Sequence, residues 1–180
     1  MFPRTSQWSV IAAASLAAAC SADPRDEART GATASALEST LTCGHGTEPA
    51  YSDGAPLGDV ELMLIDDEPV TKTTGYAFLA LQKRAAARGI DVHIESGFRT
   101  MREQEYLWRC YQTGRCNGGN LAARPGYSNH QSGTALDFAT AQRSQLARLI
   151  AEEGLPWQRT VPSEPWHYEY VGGPLAGPCD

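Results

Sequence analysis

The chain has only four histidines, and two of them stand near acidic residues at spacings suited to metal chemistry. Ser128-Asn129-His130-Gln131-Ser132-Gly133-Thr134-Ala135-Leu136-Asp137 is answered downstream by Glu164-Pro165-Trp166-His167. A hydrolytic zinc site takes about three N or O ligands from protein, leaves a position for water, and uses a carboxylate outside the ligand shell to remove that water's proton. His130, Asp137 and His167 fit the ligand roles, and Glu164 is the spare carboxylate.

These residues need elements that bring them together. Gly133 to Phe138 reads as a strand entered from a glycine turn, with Thr134, Leu136 and Phe138 on one face and Ala135 and Asp137 on the other. His130 then falls in the loop before the strand, which can fold back toward Asp137. Pro165 excludes a helix just after Glu164, and Trp166 to Val171 reads as a short aromatic strand with His167 pointing away from its neighbours.

Three stretches resemble a known family: Ser96-Gly97-Phe98-Arg99-Thr100, then Ser128-x-His130-x-x-Gly133-x-Ala135-x-Asp137, then Pro162 through Tyr170 with Glu164-Pro165-Trp166-His167 at its centre. In this order they are similar to the zinc D-alanyl-D-alanine carboxypeptidases and dipeptidases of bacterial cell walls, over roughly residues 55 to 172. The resemblance implies one Zn2+ per domain held by His130, Asp137 and His167, with Glu164 as general base and then acid. It places Arg99 beside the metal, stabilising an oxyanion or holding a substrate carboxylate. The physics agrees, since a guanidinium stays charged and offers a planar fork to oxygen pairs. Gln104 resembles a glutamine that binds substrate or braces the site, with a solvated helix residue as the alternative. Ser128 either contacts the substrate or caps its loop.

The implied substrate is a peptidoglycan stem peptide, with removal of the terminal D-Ala as the first reading. L,D-carboxypeptidase and L-Ala–D-Glu endopeptidase activities are the alternatives within the enzymes. A non-catalytic zinc-containing wall-binding domain, resembling Hedgehog signalling domains, is the alternative outside them, and the presence of both Glu164 and Arg99 argues against it.

Near the start of the chain Arg4 precedes an apolar and small-residue stretch from Trp8 to Ala19, and polarity returns abruptly with Asp23. Residues 1–20 therefore read as a secretory signal, with Cys20 placed for lipidation and cleavage near Ala19 or Ala22 as the alternative. Residues 21–45 read as a tether and 46–180 as the metallopeptidase domain. The expected location is the periplasm or cell envelope, with a lipid anchor at Cys20 in one version.

Of the five cysteines, Cys43, Cys110, Cys116 and Cys179 remain after the signal, an even number suited to an oxidising compartment. Three pairings are open. Cys110–Cys116 closes a short polar turn and is favoured, leaving Cys43–Cys179 to tie the domain's ends.

With 15 basic against 21 acidic residues and no basic run, nucleic acid is excluded as a target. The remaining pattern predicts a strand over Val60–Ile65, a helix over Thr74–Arg88 with Tyr76, Leu79, Ala80 and Lys83 on one face, and a strand over Ile90–Glu95 with His93 turned from the core. It also predicts a helix capped by Thr100 and Glu103, and another over Gln142–Glu153. Together these give an α+β domain whose mostly antiparallel sheet carries the metal while helices cover its back.

Overall fold

A computed structural model describes residues 39–180. The signal read over residues 1–20, the lipidation site at Cys20 and most of the tether lie outside the described residues. Among these, two antiparallel sheets and three α-helices alternate along the chain.

The first sheet is a hairpin, β1 (Leu41–Ser52) on β2 (Ala55–Ile65), extended by β3 (Glu68–Thr71). Its reversals are two-residue turns. Asp53-Gly54 and Asp66-Asp67 all have positive φ, the conformation that matches the twist of paired strands. Strand β1 starts inside the stretch expected to be tether. Leu41 pairs with Ile65, and Cys43 is disulfide-bonded to Cys179.

Helix α1 (Lys72–Ala86) follows directly. Its buried stripe runs through Thr74, Phe78, Leu81 and Ala85, at i, i+4, i+7 and i+11, and of the expected face Tyr76 is buried and Leu79 packs against the core. Ala80 and Lys83 are exposed. The stripe contains a threonine and an alanine, so hydrophobicity alone places its centre off the buried side.

The second sheet, in order β4-β5-β7-β6, comprises β4 (His93–Ser96), β5 (Ala135–Ala139), β6 (Trp157–Gln158) and β7 (His167–Tyr170). Ile90, Val92 and Ile94 are buried as expected, although pairing starts only at His93. Between β4 and β5 lies α2 (Met101–Thr113), with the capping box of Thr100 and Glu103 fully formed. Between β5 and β6 lies α3 (Arg143–Glu152).

The core forms where α1, α3 and the second sheet meet. Phe138 packs against Phe78, Trp157 and Tyr168 with ring centroids 5.6, 5.1 and 4.9 Å away. Because Leu136 and Phe138 face this core, Asp137 is turned to the other side of β5. Both favoured disulfides are present, Cys43–Cys179 and Cys110–Cys116.

Candidate metal centre

Strand register assembles the site. Asp137 on β5 lies opposite His167 on β7 and, on its other flank, opposite Ser96 on β4. A cross-strand pair puts side chains of the same face within contact distance, so these three form one row. His130 is added by its loop. Asn129 O accepts from both Thr134 N and Ala135 N, at 3.1 and 3.0 Å, and Gly133 turns the chain with φ of 79°. The Gly133 carbonyl accepts from the Thr71 and Thr74 hydroxyls. A Cβ on Gly133 would stand 2.2 Å from the Thr71 methyl, so the turn has room only for glycine.

The three side chains meet at single atoms. His130 Nε2 is 3.3 Å from both His167 Nδ1 and Asp137 Oδ1, and His167 Nδ1 is 3.0 Å from the same Oδ1. The outer hydrogen bonds fix what these atoms carry. His130 Nδ1 lies 2.7 Å from Gly97 O, which can only accept, so the proton sits on Nδ1 and Nε2 keeps its lone pair. His167 Nε2 faces the Glu169 carboxylate at 3.4 Å, and a proton held there leaves the Nδ1 lone pair for a cation.

Three buried ligand atoms thus converge, and with both imidazole protons turned outward their lone pairs repel one another unless a cation joins them. The donor set fits zinc. Four ligands at zinc–N or zinc–O distances of about 2.0–2.1 Å stand roughly 3.3 Å apart at the corners of a tetrahedron.

Arg99 braces one of the three ligands. Its Nη2 donates to Asp137 Oδ2 at 2.8 Å and to Ser96 Oγ at 2.9 Å, and Nε donates to the same hydroxyl at 3.1 Å. It therefore holds the carboxylate oxygen that turns away from the histidines. Burial pushes the Asp137 carboxyl up, but the two imidazoles and Arg99 outweigh it and keep it well below the usual carboxylate range. Burial also drives the His130 pKa down. For His167, burial pulls down while Asp137 and Glu169 pull up more strongly.

Ser128 and Glu164 line one cavity of about 580 Å³ together with His130, Asp137, His167 and Arg99. Ser128 Oγ accepts from His130 N at 3.3 Å, so it caps the loop while also bordering the cavity. Glu164 is half-buried in a turn closed by its own N–H to Val161 O and by His167 N–H to Glu164 O. Among the described residues its carboxylate has no hydrogen-bond partner. Gln104 does not line the cavity. It is fully buried, donates to Ala123 O at 2.8 Å, and leaves its Oε1 without a partner. His93 lies apart, beside Asp91 and Asp66.

Sequence reasoning missed the outer residues. Glu169 accepts from Asn129 Nδ2 at 2.7 Å and from the Thr160 hydroxyl besides facing His167. Burial raises its pKa, but these partners lower it by more, leaving it below its ordinary value. Its signal was present: Glu169 is two residues beyond His167 and so shares that strand face. The Gly97 carbonyl carried no such signal.

The profile of the family described as "VanY: D-alanyl-D-alanine carboxypeptidase" matches residues 67–160. The chain belongs to this family. Peptidoglycan L-alanyl-D-glutamate endopeptidase CwlK of Bacillus subtilis (strain 168) is 46% identical over 66 residues, which is 36% of this chain and 38% of that protein's length. The structure of VanYB in complex with D-Alanine-D-Alanine matches with a TM-score of 0.53 at 25% identity, covering 68% of this chain and 85% of the other. A VanY D,D-pentapeptidase mutant from a VanB-type resistance cassette, in complex with Zn(II), matches with a TM-score of 0.51 at 25% identity, covering 74% and 87%. The family match ends before Glu164 and His167, so their place in the site rests on this chain's own geometry.

Proposed function

We propose that this protein is an exported zinc peptidase that trims peptidoglycan stem peptides, with His130, Asp137 and His167 as ligands and Glu164 as the proton carrier. The observation that carries the reading is the convergence of three buried ligand atoms in one cavity with a partnerless carboxylate. The VanY neighbour bound to Zn(II) supports the choice of metal. A zinc ion held there would supply Lewis acidity and bring the pKa of a bound water down to about 7.

The chain's own groups do the rest. The Glu164 carboxylate takes a proton from the attacking water as its oxygen bonds to the peptide carbonyl carbon. The same proton passes to the departing nitrogen as the C–N bond breaks, so Glu164 ends unprotonated. Arg99 holds Asp137 from behind through Oδ2, and its Nη1 faces no partner among the described residues. That group is available to the negative charge developing on the carbonyl oxygen.

Removal of a terminal D-Ala is the first reading, supported by the family and by the VanYB complex with D-Alanine-D-Alanine. One observation favours an internal cut, such as the L-Ala–D-Glu bond named for CwlK. Arg99 is the single Arg or Lys among the described residues lining the cavity, and it is already engaged by Asp137. A carboxypeptidase must pair its substrate's terminal carboxylate with the one remaining guanidinium nitrogen or with uncharged donors.

Residues 1–20 as a secretory signal, with Cys20 as a lipid attachment point, suit an envelope substrate. No helix among the described residues is long and apolar enough to cross a membrane. Mass spectrometry of defined pentapeptide and tetrapeptide wall fragments, incubated with the zinc-loaded protein beside Glu164→Gln, tests the reading. Loss of one alanine from the pentapeptide, absent in the variant, establishes the carboxypeptidase. An internal cut names the endopeptidase, and no cleavage of either fragment contradicts both.

A further inference from the structure

The segment after α2 is stapled to that helix at both ends. Cys110, fully buried in the last turns of α2, is bonded to Cys116 at the start of the segment. Six residues earlier on the same helix, fully buried Gln104 donates to Ala123 O near the segment's end. Between the staples, Asn117, Gly118 and Gly119 have φ of 47, 60 and 70°. Three successive left-handed positions are unfavourable for a free chain, and for asparagine in particular they need a reason.

Their consequence is visible in the cavity. The turn they form, closed by Gly119 N–H to Cys116 O and Asn120 N–H to Asn117 O, places Asn117 and Asn120 on the lining of the cavity that holds Glu164 and His167. Both side chains are exposed, and neither has a hydrogen-bond partner among the described residues. Leu121 and Tyr127 border the same cavity at 55% and 47% exposure.

We propose that the segment 116–123, braced by the Cys110–Cys116 disulfide and by Gln104, is a recognition wall for a peptide that extends beyond the two residues flanking the scissile bond. This rests on the peptidase reading above. A primary amide carries two donors and an acceptor, so Asn117 and Asn120 match the alternating N–H and C=O groups of an extended peptide main chain. Leu121 and Tyr127 offer apolar surface suited to small methyl side chains. Holding the wall rigid before binding removes an ordering cost that the substrate would otherwise meet. The wall therefore acts on the discrimination between long and short substrates and leaves the metal ligands untouched.

The test compares steady-state cleavage of a pentapeptide stem and of a dipeptide cut at the same bond, using the zinc-loaded full chain. The variants are Asn117→Ala, Asn120→Ala and the double replacement Cys110→Ala with Cys116→Ala. Zinc content is measured throughout and is expected to stay at the parent's value. The wall predicts a rise of tenfold or more in the pentapeptide KM for each asparagine variant and for the double variant, and a fall of tenfold or more in the ratio of pentapeptide to dipeptide kcat/KM. An unchanged ratio in the asparagine variants overturns the wall while leaving the peptidase reading in place. Should the cysteine variant fail to fold, those exposed asparagine positions decide the matter alone. A parent that cleaves neither peptide overturns the peptidase reading and the wall with it.

Discussion

Asp137 and His167 are direct cross-strand partners on β5 and β7, and the 3.0 Å between Asp137 Oδ1 and His167 Nδ1 follows from that register. Two ligands thirty residues apart in sequence are set by one rung of a ladder, so their spacing is as rigid as the sheet. A slip of β7 by one residue would turn His167 toward the aromatic core and away from Asp137. The neighbouring rung adds Ser96, whose hydroxyl accepts from the guanidinium that grips the far oxygen of the same aspartate. One row across three strands thus supplies two ligands and the anchor for the brace on one of them.

Arg99→Lys tests that brace. An ammonium keeps the charge but cannot bridge Asp137 Oδ2 and Ser96 Oγ with a planar fork. The expected result is retained zinc with kcat/KM lower by about 10- to 100-fold. Kinetics and metal content measured on one preparation check it, and near-parental activity would remove Arg99 from its positioning role.

Glu169→Gln probes the outer shell of His167. The amide removes the charge that faces the imidazole N–H and disturbs the acceptor shared by Asn129 and Thr160. Zinc affinity, read by competition with a chromophoric chelator, should weaken by about tenfold or more. Parental affinity would show that the 3.4 Å contact orients nothing.

Gly97→Ala should cost stability before it costs chemistry. A Cβ at this position would lie 2.1 Å from Pro69 O, and backbone must move to admit it. The same residue's carbonyl fixes the His130 tautomer. A loss of at least about 2 kcal/mol, or roughly 5–10 °C in Tm for a domain of this size, is expected by calorimetry.

Removing the Cys43–Cys179 bridge by paired alanine replacement should lower stability by about 2–5 kcal/mol, because it closes a loop spanning most of the domain. Denaturant titration of the two forms measures this. Equal midpoints would mean that β1 is held by its pairing with β2 alone.

Much of the site was legible because its residues are scarce and its strands are short. In a chain poor in histidine, His130 and His167 beside glycine and proline turns stand out, and the Thr100–Glu103 capping box is a local signal that no distant contact overrides. Strand β1 was not legible. Only one of its twelve residues is buried, so it lacks the apolar alternation that marks a half-buried strand, and it exists through its pairing with β2. The α1 face was only half legible: Tyr76 and Leu79 do meet the core, but Ala80 and Lys83 do not, because Thr74 and Ala85 sit on the buried stripe. Gln104 illustrates a different limit: the sequence marks it as polar on a helix, and only the fold reveals that it is buried beneath the 116–123 segment.

The most direct test is zinc stoichiometry by elemental analysis of the purified protein beside His130→Ala, Asp137→Asn, His167→Ala and Glu164→Gln. The account predicts one zinc per chain in the parent and in Glu164→Gln, and loss of zinc in each of the other three. A parent that takes up no zinc, or ligand variants that retain it fully, would contradict the assignment of this site.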